Sequence, residues 1–121
     1  MLLATSNRGK QLLYLSYIGQ VRTGDLTRHQ PDVAALMAEL SPDFRLLVNL
    51  TELETMDSGC MTELGGLMEL VDRSGVGLIV RVIPDPAKDI GFNILSIFHY
   101  AHRPRIAMCN NMSEAGKLLG I

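Results

Sequence analysis

Residues 45–83, RLLVNLTELETMDSGCMTELGGLMELVDRSGVGLIVRVI, decide the fold of this chain. Two apolar runs, 44–50 and 76–83, are almost uninterrupted, which is typical of strands covered by helices on both faces. The residues between them show the spacing of an amphipathic helix that ends at Ser74-Gly75. Its apolar positions are Met61, Leu64, Leu67, Met68 and Val71. The stretch therefore predicts strand, helix and strand, the unit from which parallel sheets are built.

The segment before this unit predicts one more strand and one more helix. Residues 12–18 are rich in β-forming side chains and are bounded by a glycine. The first helix is expected over 27–40, with Thr27 as its cap and Pro31 in its first turn, where proline is tolerated. Residues 1–11 are expected to be a flexible or edge N-terminal arm.

The segment after the unit predicts a helix, a short strand and a final helix. The third helix follows the Pro-Asp-Pro stop at 84–86 and ends before Pro104. The strand is expected at 105–109 and the last helix at 113–119, with Ser113 as its cap. The apolar residues that mark the third helix are Ile90, Ile94, Ile97 and Phe98. Alternating strands and helices predict a single α/β domain over 1–121, with a mixed, mainly parallel sheet of four to five strands and about four helices.

Composition excludes several functional classes. The chain has 121 residues, of which 47% are hydrophobic and 20% charged, with a formal net charge of −2. This suits one compact domain and argues against a disordered chain or a basic nucleic-acid-binding protein. No apolar run reaches the ~20 residues that span a bilayer, and the first ten residues are too mixed for a signal peptide. We therefore expect a cytoplasmic protein with no nucleic-acid partner and no direct membrane insertion.

Motifs for catalysis or cofactor binding are missing from the sequence. It contains no phosphate-binding glycine loop and no GxSxG nucleophile motif. His99 and His102 lie three residues apart, but no carboxylate or thiol follows at ligand spacing, so a surface position at a helix C-terminus is favoured over a metal site. Cys60 and Cys109 form no CxxC pair and are expected to be reduced thiols that are buried or half-buried. The sequence therefore gives no support for nucleophilic hydrolysis, and we expect no cofactor and no metal.

Two features of the second helix have more than one interpretation. Gly65 and Gly66 interrupt it, either because the helix packs closely on a neighbour or because a binding partner approaches its backbone. The segment 52–72 also carries six acids and no Lys or Arg. It is either a solvated helix face or a surface that steers a basic partner. The acids are Glu52, Glu54, Asp57, Glu63, Glu69 and Asp72.

The segment 45–77 resembles the STAS domain, which is typified by bacterial anti-sigma-factor antagonists. That family has a strand ending in Asp-Leu, a short loop, Asp-Ser-Ser-Gly opening a helix, and a Gly before the next strand. IGQVRTGDL (18–26) and NMSEAGKLL (111–119) extend the likeness over nearly the whole chain. The matching motif residues here are Asn49-Leu50, Asp57-Ser58-Gly59 and Gly75.

The resemblance implies a binding module rather than an enzyme. In the regulatory branch a partner kinase phosphorylates the second serine of the motif, and the added charge disrupts docking. This chain departs from the pattern, because a gapless match places Gly59 at the acceptor position and Cys60 at the motif glycine. Either the chain has no acceptor there, or Ser58 takes its place. The alternative interpretation of Ser58 is a helix N-cap.

By this resemblance, the partner-binding surface is expected to lie on the 52–58 loop and the second helix. The resemblance implies a protein partner, which is expected to be either an anti-sigma factor that is also a serine kinase or a transporter subunit. One alternative is a non-phosphorylated accessory subunit of a transport complex. Another is a small-molecule or lipid-binding domain, or an enzyme, on the same scaffold, which a deep apolar pocket between the third helix and the sheet would favour. The expected partner-binding residues are Glu54, Asp57, Ser58, Gly59, Cys60 and Glu63.

Overall fold

A computed structural model describes residues 1–85, 87 and 89–121 of the chain, with the backbone alone at 89 and 90. In these residues the chain forms, in order, β1 (Leu2–Asn7), β2 (Leu12–Tyr17), β3 (Gly19–Val21), α1 (Thr23–Ala38), β4 (Arg45–Asn49), β5 (Leu53–Met56), α2 (Cys60–Arg73), β6 (Leu78–Val82), α3 (Asp89–His99), β7 (Arg105–Cys109) and α4 (Met112–Leu119). The predicted α/β fold class is confirmed.

The main sheet has the strand order β1-β2-β4-β6-β7. β1 pairs antiparallel with β2, and the remaining neighbours pair parallel. A second, two-stranded sheet joins β3 and β5 in parallel. The central strands β4 and β6 are buried on both faces, which is the physical reason that their sequences are almost continuously apolar.

Helices cover the sheet unequally. The larger core cluster lies between one face and α1, α2 and α3, and it includes Val33, Leu64, Val71 and Phe92. The smaller cluster lies on the other face, beneath Ala115 and Leu119 of α4. Three helices on one side and one short helix on the other leave the two core layers very different in size.

The beginning of the chain differs from the sequence-based expectation in two places. The N-terminal arm takes the edge form, because Leu2–Asn7 pairs along its whole length with β2. Helix α1 begins at Thr23 rather than at Thr27, so Pro31 lies inside the helix. Pro31 is exposed, and its cost of roughly 3 kcal/mol is offset by burial of three apolar side chains of α1 on the core. These are Leu26, Val33 and Met37.

The buried face of the third helix and the N-cap of the fourth also differ from the sequence-based expectation. Helix α3 is present, but Ile94, Ile97 and Phe98 are exposed, and its buried face carries Phe92 and Ser96 instead. Helix α4 is capped by Asn111 rather than by Ser113, since the Asn111 side chain accepts a hydrogen bond from the Glu114 N–H at 2.9 Å. The predicted stop at Pro86 and the apolar contribution of Ile90 lie outside the described residues.

Candidate functional site

The predicted partner-binding segment lies on the surface where β4 leads into α2. Asn49 ends β4 and is buried; its amide donates to the Tyr14 hydroxyl at 2.9 Å, and its carbonyl accepts from the Thr51 N–H at 3.0 Å. The chain then runs through β5, and the Asp57 N–H donates to the Val21 carbonyl at 3.1 Å. The predicted 52–58 loop therefore contains a strand, and its backbone is fixed at both ends.

Four carboxylates on this segment are accessible to a partner. Glu52, Glu54 and Asp57 are exposed, and Glu63 is half-buried on the first turn of α2. Within the described residues, none of these four forms an ion pair. We call these four residues, with Ser58 and Gly59, the acidic loop surface.

The other two acids of the predicted patch do not belong to this surface. The Glu69 carboxylate lies 2.9 Å from His99 Nδ1. The Asp72 carboxylate is buried and lies 2.7 Å from His102 Nδ1, and it also accepts from the His102 backbone N–H at 3.3 Å. These two contacts tie α2 to the end of α3, so the six-acid patch of the sequence is reduced to four.

Cys60 cannot be part of a docking surface. Its side chain is fully buried, with the thiol 3.7 Å from the Val21 carbonyl and 3.9 Å from the Thr23 hydroxyl. Burial raises the pKa of the Cys60 thiol. Including Cys60 among the partner-binding residues was wrong, because the first residue of α2 turns inward and only the residues before it remain exposed.

Ser58 does not cap α2. The N-cap position is Gly59, and in the described part of the chain no side chain makes a capping hydrogen bond at this helix. The first turn is closed by the backbone, with the Cys60 N–H donating to the Asp57 carbonyl at 3.0 Å. The N-cap interpretation of Ser58 was wrong, and its hydroxyl remains exposed.

The acceptor position of the family motif lies tightly against the start of α1 here. A Cβ at Gly59 would lie 2.8 Å from the Thr23 hydroxyl oxygen at the start of α1, closer than real Cβ contacts come. A serine at this position would therefore displace Thr23. Among residues 57–61, Ser58 carries the one side-chain hydroxyl.

The surroundings of Gly65 and Gly66 differ, and they decide between the two interpretations of Gly65. A Cβ at Gly65 would lie 2.6 Å from His99 Nε2, whereas one at Gly66 would find its nearest neighbour, Gln30, at 3.9 Å. Close helix packing therefore explains Gly65. His99 and His102 contact different carboxylates, and no cluster of three or more metal-ligating side chains occurs in the described residues.

A groove lies between α3 and β7, the edge strand of the main sheet, and the sequence did not single out the residues that line it. It has a volume of about 440 Å³ and is lined by Asn93, Ser96, Ile97, Tyr100, Arg103, Pro104, Ile106 and Met108. By contrast, the cavity between the helices and the central strands β2, β4 and β6 has a volume of only about 20 Å³. The one sign of this groove in the sequence was the number of isoleucines in α3, which exceeds what its buried face holds. In the structure Ile94 and Ile97 are exposed.

No helix in the part of the chain that the structure describes is long and apolar enough to cross a bilayer.

Comparison with known proteins connects this chain to solved structures only. No protein-family model and no curated protein matches the sequence. An uncharacterised protein of the DUF3478 family with a SpoIIAA-like fold, from Shewanella loihica, superposes with a TM-score of 0.75 at 12% identity, covering 98% of this chain and 92% of its own.

Two structures of the anti-sigma factor antagonist SpoIIAA are also similar. The unphosphorylated form has a TM-score of 0.67 at 12% identity and covers 100% of both chains. The phosphorylated form, from Bacillus, has a TM-score of 0.64 at 10% identity, covering 98% of this chain and 99% of its own. At these identities the likeness concerns the fold, and it confirms the resemblance seen in the motif residues at that level. This chain has the SpoIIAA-like fold of STAS domains.

Proposed function

We propose that this protein is a non-enzymatic protein-interaction module that docks on a regulatory partner through the acidic loop surface. The observation that carries the proposal is the set of four carboxylates without ion pairs in the described residues, placed between β4 and α2 of a SpoIIAA-like fold. Surface charges of one sign steer a partner of opposite charge and set the rate of association. A basic partner surface is therefore expected.

The local structure supports docking with little rearrangement. β5 pairs with β3, and the Asp57 N–H bonds to Val21, so the exposed side chains project from fixed backbone. Preformed surfaces bind with a smaller loss of conformational entropy than flexible loops do. Glu63 lies beside Gln30 and Leu26 of α1, which extends the surface toward that helix.

Phosphorylation at the family's acceptor position is not part of this proposal. Gly59 has no hydroxyl, and Thr23 occupies the space that a side chain there would need. This observation favours the second candidate function, a module that serves as a non-phosphorylated accessory subunit, for example of a transport complex. Ser58 remains the alternative acceptor if the partner is a serine kinase.

Charge reversal tests the proposal. The partner is first identified by crosslinking from residue 54 in lysate of the source cells, and its affinity for the purified chain is then measured at two salt concentrations. We expect Asp57→Lys and Glu63→Lys each to weaken binding about tenfold or more and to reduce its salt dependence. Glu39→Lys, an exposed reversal at the end of α1, serves as the matched control. Equal affinities for all three variants would exclude this surface.

A further inference from the structure

The groove between α3 and β7 has the size of a small-molecule site. Its volume of about 440 Å³ falls in the range of roughly 300–1,000 Å³ that is usual for such sites. The walls are mostly apolar, and three polar side chains, Asn93, Ser96 and Arg103, interrupt them. A mainly apolar cleft with a few placed polar groups is the usual form of a ligand pocket.

The apolar walls are open to solvent. Ile97 is 78% exposed and Met108 50%, and the neighbouring Ile94 and Phe98 are 51% and 75% exposed. These residues lie on two elements that face each other across the groove. A contiguous exposed apolar patch on a small protein commonly marks a binding site.

The polar side of the groove is fixed from beneath. Arg81 of β6 is 1% exposed, and its guanidinium donates to the Ser96 hydroxyl at 2.8 Å and to the Asn93 side-chain carbonyl at 2.6 Å. The Ser96 hydroxyl in turn donates to the Phe92 carbonyl at 2.7 Å. This network positions Asn93 and Ser96, the two polar side chains of α3 in the lining.

The charge at the other end of the groove comes from Arg103. It is exposed, and within the described residues it forms no ion pair. Its backbone has φ +50°, and its N–H donates to the Tyr100 carbonyl at 3.1 Å. Arginine rarely adopts this left-handed conformation, and such strain concentrates at functional sites. No carboxylate lines the groove among the described residues.

We propose that this groove binds a small single-chain amphiphile with an anionic head, such as a fatty acid. The alkyl chain lies along Ile97, Ile106 and Met108, and the carboxylate pairs with Arg103. The path from Pro104 to Met108 is about 13 Å at the rise of a β-strand, which suits a chain of medium length. This site is separate from the acidic loop surface and does not depend on the proposed docking function.

The charge and shape of the groove favour an anionic amphiphile over a second copy of the chain. The groove is concave, and among its described lining residues the one charged side chain is the cation of Arg103, beside apolar walls. The side chains that the structure places exposed on α3 beside it, such as Ile97 and Phe98, are convex and apolar. A second copy would therefore leave Arg103 without an anion.

The probe is decanoate, titrated below its micelle concentration into the full chain labelled with nitrogen-15. We expect saturable amide shifts confined to residues 93–97 and 103–108, with Kd on the order of 100 μM for so small a ligand. Decyltrimethylammonium has the same chain and the opposite charge, and it should bind at least tenfold more weakly. Equal binding of the two compounds, or shifts spread over the whole chain, would overturn the proposal.

Two variants locate the ligand. Arg103→Gln should weaken decanoate about tenfold through loss of the charged hydrogen bond. Ile97→Glu places an anion in the groove and should abolish binding, whereas Ile94→Glu, on the same helix but outside the lining, should bind like the natural chain. Failure of decanoate to bind, equal losses at 94 and 97, or a concentration-dependent dimer that Ile97→Glu dissolves would each contradict the proposal.

Discussion

Gly65 sets how closely α2 and α3 approach, and it makes a direct prediction about stability. A methyl group at this position would lie within 3.0 Å of three ring atoms of His99. Gly65→Ala must therefore displace the imidazole and break its contact with Glu69. We expect this loss to outweigh the gain in helix propensity and to destabilise the fold by about 1 kcal/mol, measured by urea unfolding.

The adjacent glycine provides the matched control. At Gly66 the added methyl would meet only Gln30 at 3.9 Å, an ordinary van der Waals contact. Gly66→Ala should therefore stabilise by roughly 0.5–1 kcal/mol, the usual helix preference for alanine. If the two variants shift the unfolding midpoint in the same direction, close packing does not explain Gly65.

Ser58 and Asn111 occupy comparable places in sequence but different roles in structure. Asn111 caps α4 with a hydrogen bond of 2.9 Å, whereas Ser58 makes no capping bond in the described residues. Asn111→Ala should cost about 1 kcal/mol. Ser58→Ala should change the free energy of unfolding by less than about 0.5 kcal/mol. A loss for Ser58→Ala as large as that for Asn111→Ala would restore the capping role.

At the scale of elements, the sequence predicted those that are buried. β2, β4, β6 and β7 were found because continuous apolar runs or dense β-formers mark strands in the sheet. The exposed residues of β1 and the short β3 and β5 leave no such run, since they lie at an edge or in a sheet of two strands. The start of helix α1 was predicted too late because Pro31 was assigned to the first turn. In the structure the helix continues through Pro31, since burial of Leu26, Val33 and Met37 on the core offsets the cost of the proline.

The candidate site was predicted in part for the same reason. Local sequence located the acidic loop surface, because its residues are close together along the chain. Sequence spacing carried no sign that Glu69 and Asp72 meet histidines thirty positions away, or that Cys60 turns inward. The groove depends on the approach of α3 to β7, which only the folded chain determines.

The carboxylate of Asp25 at the start of α1 should make the stability of the fold depend on pH. The Asp25 carboxylate accepts from the Arg22 backbone N–H at 3.0 Å and lies 2.8 Å from the Arg28 guanidinium. The Arg22 bond first, and then nearby positive charge, hold the pKa of Asp25 below its ordinary value. A lowered folded pKa adds stability above the unfolded pKa, and this stability is lost as pH falls through the folded value.

Asp25→Asn should therefore be less stable than the natural chain at neutral pH. The difference should shrink below about pH 4, where the carboxylate of the natural chain becomes protonated. Urea midpoints at pH 7 and near pH 2.5 measure it. Glu54→Gln, which removes an exposed carboxylate without an ion pair in the described residues, is the control. A constant difference between Asp25→Asn and the natural chain over this range would contradict the prediction.

At the scale of the whole molecule, the two core layers each contain one cysteine. Cys60 belongs to the layer beneath α1, α2 and α3, and Cys109 belongs to the layer beneath α4. Both are free thiols, and burial raises the pKa of each. Little reactive thiolate is present at neutral pH, so alkylation requires that the covering layer open.

The layers should open at different free energies. α4 is a C-terminal helix of eight residues, and helices of this length have little stability of their own. In Cys60→Ala, iodoacetamide should label Cys109 through local opening, at a rate almost independent of low urea concentrations. In Cys109→Ala, labelling of Cys60 should be much slower and should rise with urea as global unfolding does. Leu119→Ala removes a buried contact of α4, so it should speed labelling of Cys109 and leave the labelling rate of Cys60 unchanged. If the labelling rates of the two thiols depend equally on urea, the two layers open as one cooperative unit and the prediction is wrong.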